Sequence, residues 1–121
     1  MANEVILVAD DSPTEQKLVT AALQSKGYRV ITAMDGEDAI DKATRETPRV
    51  VVLDVVMPKK NGFQVCRHLK STAATQNIKV ILLTSKNQDS DKFWGMKQGA
   101  DAYMTKPFSD ADLQSAVAKL I

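Results

Sequence analysis

Four stretches of this sequence place charged or hydroxyl side chains directly at or after the end of an apolar run. Asp10 and Asp11 follow VILVA, Asp54 follows VVVL, Thr84 closes VILLT, and Lys106 follows AYMT. Carboxylates that lie close together raise one another's pKa unless a cation intervenes. Mg²⁺ prefers oxygen ligands and typically takes one or two carboxylates together with phosphate oxygens. If these residues meet in the fold, they predict a magnesium site that receives a phosphoryl group.

Asp54 is the residue whose position most needs a functional explanation. It lies inside the apolar stretch VVVLDVVMP, and burying an unpaired carboxylate is costly. A metal ion and the Lys106 ammonium would neutralise it. A carboxylate held in this way can act as the nucleophile that accepts a phosphoryl group as an acyl phosphate. Lys106 and the Thr84 hydroxyl would then share the phosphoryl oxygens.

This chemistry depends on elements that bring the four stretches to one edge of a sheet. Short apolar, β-branched runs predict five strands, at 5–9, 28–33, 50–54, 80–84 and 102–105. Segments with helical spacing separate them, so the sequence predicts an α/β fold with a parallel sheet, helices on both faces and right-handed crossovers. In such open sheets, ligands bind outside the carboxyl ends of the strands.

Capping signals predict where several helices begin. Ser12 and Glu15 form an S-x-x-E capping box for the first helix, in which Leu18 and Ala22 have the i,i+4 spacing of a packed pair. Asp35 and Ser109 are predicted to cap the second and last helices, and Asp89 or Ser90 to open the fourth.

Composition narrows the function classes. The chain has 121 residues, of which 44% are hydrophobic, and lysine and arginine number 16 against 15 acids. This length and composition predict one domain over residues 1–121. The near-equal numbers of basic and acidic residues give no reason to expect nucleic acid as a partner. We expect no signal peptide, because acids interrupt the N-terminal apolar run. We expect no membrane insertion, because no apolar run approaches the roughly 20 residues that span a bilayer. The single cysteine, Cys66, favours a reducing compartment, and we expect the cytoplasm.

The motifs ILVADDS, VVVLDVVMPKKNGF, ILLTS and GADAYMTKPF, in this order, cover essentially the whole chain. Together they resemble the receiver domain of two-component response regulators, of the CheY-like stand-alone type. The resemblance implies a doubly wound (βα)5 flavodoxin/CheY-like fold with strand order 2-1-3-4-5 and no output domain. The segment FWGMKQGADAYMTKPF is similar to receivers of pili-based motility and taxis pathways.

The resemblance implies a role for each metal-site residue. Asp54 would be the phosphoacceptor, Asp11 would bind Mg²⁺ directly, Asp10 would bind it directly or through water, and Val56 would contribute its backbone carbonyl. Val56 stands where the chemotaxis prototype has asparagine, but only the carbonyl is needed, so we expect metal binding to persist.

The resemblance also implies a switch. Thr84 and Lys106 would contact the phosphoryl oxygens, and Tyr103 matches the aromatic switch position. On phosphorylation, Thr84 would move toward the phosphoryl group and the ring would turn inward, which would reshape the surface of the fourth helix, fifth strand and fifth helix. The Lys106–Pro107 bond would be cis.

The function implied is a binding module controlled by phosphorylation. A sensor histidine kinase or phosphotransfer protein would donate the phosphoryl group, and an unknown protein target would read the changed surface. We expect a monomer that catalyses only its own phosphorylation and dephosphorylation. An alternative within the same class is a phosphate sink, which drains phosphoryl groups from the kinase and binds no effector. Ser85 and Lys86 depart from the prototype beside the path of the hydrolytic water, which leaves the lifetime of the phosphorylated form open.

Two other classes fit less well. A Mg²⁺-dependent phosphohydrolase of the haloacid dehalogenase type needs an acid two residues after the nucleophile, where this chain has Val56. A flavin carrier needs phosphate-binding hydroxyls and glycine after the first strand, where this chain has two acids.

Phe93 and Trp94 are adjacent and cannot both face the core, so one of them is either exposed or partly buried against a neighbouring helix. Cys66 is expected in the core and His68 on the surface.

Overall fold

A computed structural model of the chain describes residues 4–121. The strands in this range are Val5–Ala9 (β1), Arg29–Ala33 (β2), Val50–Leu53 (β3), Lys79–Thr84 (β4) and Ala102–Thr105 (β5). The helices are Pro13–Gln24 (α1), Gly36–Glu46 (α2), Gly62–Ser71 (α3), Asp89–Lys97 (α4) and Asp110–Leu120 (α5). The strands pair in parallel in the order β2-β1-β3-β4-β5, which confirms the predicted fold. No helix in the described range is long and apolar enough to cross a membrane.

The sheet separates two apolar cores because successive side chains of a strand point to opposite faces. In β3, Val50 and Val52 join the core formed with α1 and α5, whereas Val51 and Leu53 join the core formed with α2 and α3. All four side chains are buried. This two-sided burial explains why the sequence shows a continuous apolar run instead of an alternating one.

The predicted N-caps are present. Side-chain oxygens of Ser12, Asp35 and Ser109 each accept a hydrogen bond from the backbone N–H three residues later, at 3.3, 2.8 and 3.0 Å. At α3, Asn61 and Gln64 form a reciprocal capping box that the sequence analysis missed. Strand bounds differ from the predictions by at most one residue. Leu18, predicted to pack with Ala22, is 54% exposed and lies beside the cleft described below.

Helix α4 contacts the sheet through a glycine. Among the residues of α4, all of which the structure describes, Gly95 alone is buried. A Cβ at Gly95 would lie 2.8 Å from Leu82 Cδ1 and 2.9 Å from Tyr103 Cδ2, so the helix backbone sits close against these side chains. The two adjacent aromatics Phe93 and Trp94 are therefore both exposed, at 64% and 54%. This agrees with the prediction that the two cannot both face the core, and shows that neither of them does.

Cys66 is fully buried in the core, as predicted, and its Sγ donates to the Gln98 carbonyl at 3.5 Å, while His68 is exposed. Burial raises the pKa of the Cys66 thiol from 9.0 to about 12. At pH 8 a thiol with this pKa is ionised in only about one molecule in ten thousand, and the thiolate is the reactive form.

We therefore expect iodoacetamide at pH 8 to leave the native protein unmodified over hours and to alkylate Cys66 rapidly in urea. Intact-mass spectrometry measures both rates, and similar rates in the two conditions would contradict the burial of Cys66.

The raised pKa of Cys66 also fixes the direction in which its contribution to folding stability changes with pH. The folded thiol holds its proton where the unfolded thiol has lost it, so the contribution of Cys66 to stability is complete below about pH 9 and declines toward pH 12.

Candidate functional site

The carboxyl ends of β1, β3 and β5 bring three of the predicted site residues into contact. The Nζ of Lys106 donates to Asp10 Oδ2 at 2.8 Å and to Asp54 Oδ2 at 3.0 Å. The three side chains are largely removed from solvent, with exposed fractions of 5% for Asp10, 13% for Asp54 and 12% for Lys106. The lysine thus bridges two carboxylates that come from different strands.

The backbone fixes both carboxylates from the other side. Asp10 Oδ1 accepts from the Ser12 N–H at 2.9 Å, and Asp54 Oδ1 accepts from the Val56 N–H at 3.3 Å. The Lys106 N–H bonds to the Thr84 carbonyl at 2.8 Å, which extends the pairing of β4 and β5 up to the site. The Lys106–Pro107 peptide bond is cis, as predicted.

Opposing effects act on the Lys106 ammonium. Burial alone lowers the pKa of a lysine, but hydrogen bonds and charge interactions with Asp10 and Asp54 outweigh it and hold the pKa above its usual value. Lys106 is therefore a permanent positive charge between the two carboxylates.

A third carboxylate, which the sequence analysis did not place in the site, also reaches this lysine. Glu15 Oε1 lies 3.3 Å from Lys106 Nζ. The predicted capping box would turn the Glu15 side chain back to the Ser12 N–H, but Asp10 Oδ1 already accepts from that N–H. The predicted bond from the Glu15 N–H to the Ser12 hydroxyl is therefore present. The predicted bond from the Ser12 N–H to the Glu15 carboxylate is wrong. The available signal was Asp10, since an aspartate often accepts from the backbone N–H two residues later.

These side chains border an open cleft of about 630 Å³ at the carboxyl edge of the sheet. Asp11 and Val56, the other predicted metal-site residues, line the same cleft and are exposed. Its remaining lining residues, several of them apolar, are Ser12, Leu18, Ser85, Pro107, Phe108 and Asp110.

The donor set fits Mg²⁺ in type. Carboxylates of Asp10, Asp11, Glu15 and Asp54 line one cleft with a single ammonium, so the site carries excess negative charge that a divalent cation would offset. Within residues 4–121, no three acidic, histidine or cysteine side chains are already gathered as a metal cluster. Lys106 instead holds one oxygen each of Asp10 and Asp54.

The two predicted switch residues do not line the cleft. Thr84 is fully buried, and its Oγ1 accepts from the Lys86 N–H at 3.4 Å. Tyr103 donates from its hydroxyl to the Lys86 carbonyl at 2.8 Å. Burial, followed by the negative charges of Asp91 and Asp54, raises the pKa of the Tyr103 phenol. Thr84 and Tyr103 thus bind the main chain of one residue, in the loop between β4 and α4.

The loop between β3 and α3, which carries Val56, is held by two glycines. The Gly62 N–H donates to the Val55 carbonyl at 2.8 Å, and the Gly36 N–H donates to the Pro58 carbonyl at 3.3 Å. Each glycine lies against backbone, since a Cβ at either position would come within 2.2 Å of a carbonyl oxygen. The loop therefore has little freedom beside the site.

A family model described as "Response regulator receiver domain" matches residues 6–118. The chain belongs to this family. It is a CheY-like receiver domain, and its family places it in two-component signalling. The resemblance stated from the four motifs is thereby confirmed.

Individual proteins agree with the family match. The chain is 46% identical to protein PilH of Pseudomonas aeruginosa over 112 residues, which cover 93% of both chains. It is 41% identical to the regulatory protein PhoP of Bacillus subtilis over 98% of this chain but only 49% of PhoP. Among solved structures, the receiver domain of the sensor histidine kinase PA1611 of P. aeruginosa, described with magnesium in its active-site cleft, has a TM-score of 0.90 at 28% identity and covers 98% and 97% of the two chains.

Proposed function

We propose that this receiver accepts a phosphoryl group on Asp54 from a sensor histidine kinase or a phosphotransfer protein. The observation that carries the proposal is the contact of Lys106 with Asp54 at 3.0 Å and with Asp10 at 2.8 Å, inside a cleft that also holds Asp11. This arrangement supports the proposal, because it brings a carboxylate, an ammonium that could bind phosphoryl oxygens and an excess of further carboxylates to one point.

In the proposed reaction, an Asp54 oxygen attacks the phosphorus of a phosphohistidine. The new O–P bond forms, the P–N bond breaks, and its electron pair remains on the imidazole of the donor. Lys106 moves from the carboxylates to a phosphoryl oxygen. Mg²⁺, held by Asp10, Asp11, Asp54 and the Val56 carbonyl, would supply positive charge for the phosphoryl oxygens. The PA1611 receiver, which has a similar fold, is described with magnesium in its active-site cleft, and this supports a magnesium ion in the corresponding cleft here.

The signal would leave the site through Thr84 and Tyr103. Their shared partner, the main chain of Lys86, supports the proposal, because a movement of Thr84 toward the phosphoryl group breaks or bends its bond to the same residue that Tyr103 binds. The ring of Tyr103 lies against Gly95, so its movement would reach α4. The surface formed by α4, β5 and α5, with Phe93 and Trp94 exposed, would then present a changed face to a protein target.

The proposed chemistry is confined to the chain itself. We propose that it forms and loses its own acyl phosphate, acts on no other substrate, and works as a cytoplasmic monomer without nucleic acid. The likeness to PilH supports a pathway of pili-based motility. Whether the phosphorylated form serves as a messenger or as a phosphate sink depends on its lifetime, which the exposed Ser85 and Lys86 beside the cleft would influence.

A labelling time course tests the proposal. The wild-type protein is incubated with acetyl phosphate with Mg²⁺ or with a chelator, followed by intact-mass spectrometry and by peptide mapping after borohydride trapping. We expect one phosphoryl group per chain, located on Asp54 and dependent on Mg²⁺. Labelling at another residue, or no labelling in either condition, would refute the proposal. Decay within seconds of donor removal would favour the sink, and decay over many minutes the messenger.

A further inference from the structure

Lys106 has three acidic neighbours, although the proposed reaction gives a role to only two of them. Asp10 and Asp54 lie at 2.8 and 3.0 Å from Lys106 Nζ, and Glu15 follows at 3.3 Å. Glu15 comes from the first turn of α1, outside the strands that supply the other two acids. Its side chain is 37% exposed, compared with 5% for Asp10 and 13% for Asp54, so it has more freedom to follow the lysine.

Glu15 is available to the lysine because its capping role is filled by another group. The Ser12 N–H, the partner of a capping-box glutamate, bonds to Asp10 Oδ1 at 2.9 Å. Asp10 thus holds the Ser12 N–H with one oxygen and Lys106 with the other. The Glu15 carboxylate is left to turn into the cleft.

The three acids differ in what the proposed function requires of them. Mg²⁺ would claim oxygens of Asp10 and Asp54, the same carboxylates that Lys106 holds. An ammonium with only 12% of its side chain exposed is already largely desolvated, so losing both carboxylates would leave a buried charge uncompensated. Glu15 is a partner for Lys106 that the proposed metal and phosphoryl group do not bind.

We propose that Glu15 is a positioning residue for Lys106, which holds the ammonium in the cleft while other ligands occupy Asp10 and Asp54. This inference rests on the proposed function, since only a cleft that takes a cation and a phosphoryl group needs Lys106 to change partners. Without Glu15, Lys106 binds the two aspartates more exclusively and competes harder with the cation.

The first test is the Mg²⁺ affinity of the unphosphorylated protein, measured by isothermal titration calorimetry. Glu15→Gln is expected to weaken Mg²⁺ binding by about three- to tenfold, because Lys106 loses an opposite charge 3.3 Å away and then competes harder for the two aspartates, with an unchanged thermal midpoint. The matched control is Asp110→Asn, which removes an acid from the same cleft that pairs with no lysine or arginine among the described residues. It is expected to weaken binding less than twofold.

A double variant separates positioning from simple charge. In a Lys106→Met background, where no ammonium competes, Glu15→Gln is expected to weaken Mg²⁺ binding no more than Asp110→Asn does. An equal effect of Glu15→Gln with and without Lys106, or equal effects of the two single variants, would overturn the inference. Normal labelling of Asp54 together with an unaltered Mg²⁺ affinity in Glu15→Gln would refute the inference alone. A wild-type protein that binds no Mg²⁺ would refute the proposed metal site as well.

Discussion

Asp54→Asn is expected to abolish phosphoryl labelling while leaving the free energy of unfolding within about 1 kcal/mol of the wild-type value. Asparagine has the shape of aspartate, and its amide oxygen can still accept from Lys106, the contact that Asp54 Oδ2 makes at 3.0 Å. The amide NH₂ then takes the place of Oδ1, so the 3.3 Å bond from the Val56 N–H is lost. The amide has no carboxylate oxygen that can attack phosphorus. The nucleophile is lost and the packing is kept.

The small effect on stability follows from the charges at the site. Removing one partner of a buried ion pair usually costs about 3–5 kcal/mol, because it leaves the other charge unpaired. Lys106, however, keeps Asp10 at 2.8 Å and Glu15 at 3.3 Å when Asp54 is neutralised. The substitution also relieves repulsion among carboxylates that outnumber the cation. The free energy gained by relieving this repulsion and the free energy lost with the Asp54–Lys106 ion pair therefore nearly cancel.

Intact-mass labelling with acetyl phosphate and urea unfolding measure the two effects. Asp110→Asn, an acid-to-amide change in the same cleft, is the control and is expected to label like the wild type. Labelling of Asp54→Asn at the wild-type rate would mean that another residue accepts the phosphoryl group. A stability loss above about 3 kcal/mol would mean that Asp54 is primarily a structural partner of Lys106.

The features of the fold that the sequence predicted are those set by local pattern. Continuous apolar runs such as 50–53 mark strands buried on both faces, and their alternation with helices fixes a parallel sheet. A parallel sheet brings the residues after its strands to one edge whatever the details of packing. Asp10, Asp54 and Lys106 could therefore be placed together before the structure was known.

The features that the sequence did not predict depend on which of several available partners a group takes in the folded chain. Glu15 has the spacing of a capping residue, and only the position of Asp10 against the Ser12 N–H shows that it turns elsewhere. The exposure of both Phe93 and Trp94 depends on Gly95 facing the sheet, which helical spacing alone does not reveal in a helix with so few buried residues. Tertiary partners decided each of these outcomes.

Gly62→Ala is expected to destabilise the fold by about 3 kcal/mol or more, at the upper end of the cost of overpacking. A Cβ at Gly62 would lie 2.2 Å from the Asp54 carbonyl oxygen and 2.8 Å from Val55 Cα. Both neighbours are backbone, so no side-chain rotation can relieve the overlap. The first turn of α3 and the end of β3 must separate, which also breaks the Gly62 N–H bond to the Val55 carbonyl.

Because Asp54 itself forms the surface against which Gly62 packs, the same substitution should also slow labelling of any folded protein that remains. Gly95→Ala is the matched control, since its Cβ would meet the ends of the Leu82 and Tyr103 side chains instead of backbone. Movement of those side chains, and a gain of about 1 kcal/mol in helix propensity, should keep its cost well below that of Gly62→Ala. Urea unfolding of both variants gives the comparison. Equal stabilities would show that the loop after β3 can yield, and that Asp54 is not held in place by its contact with α3.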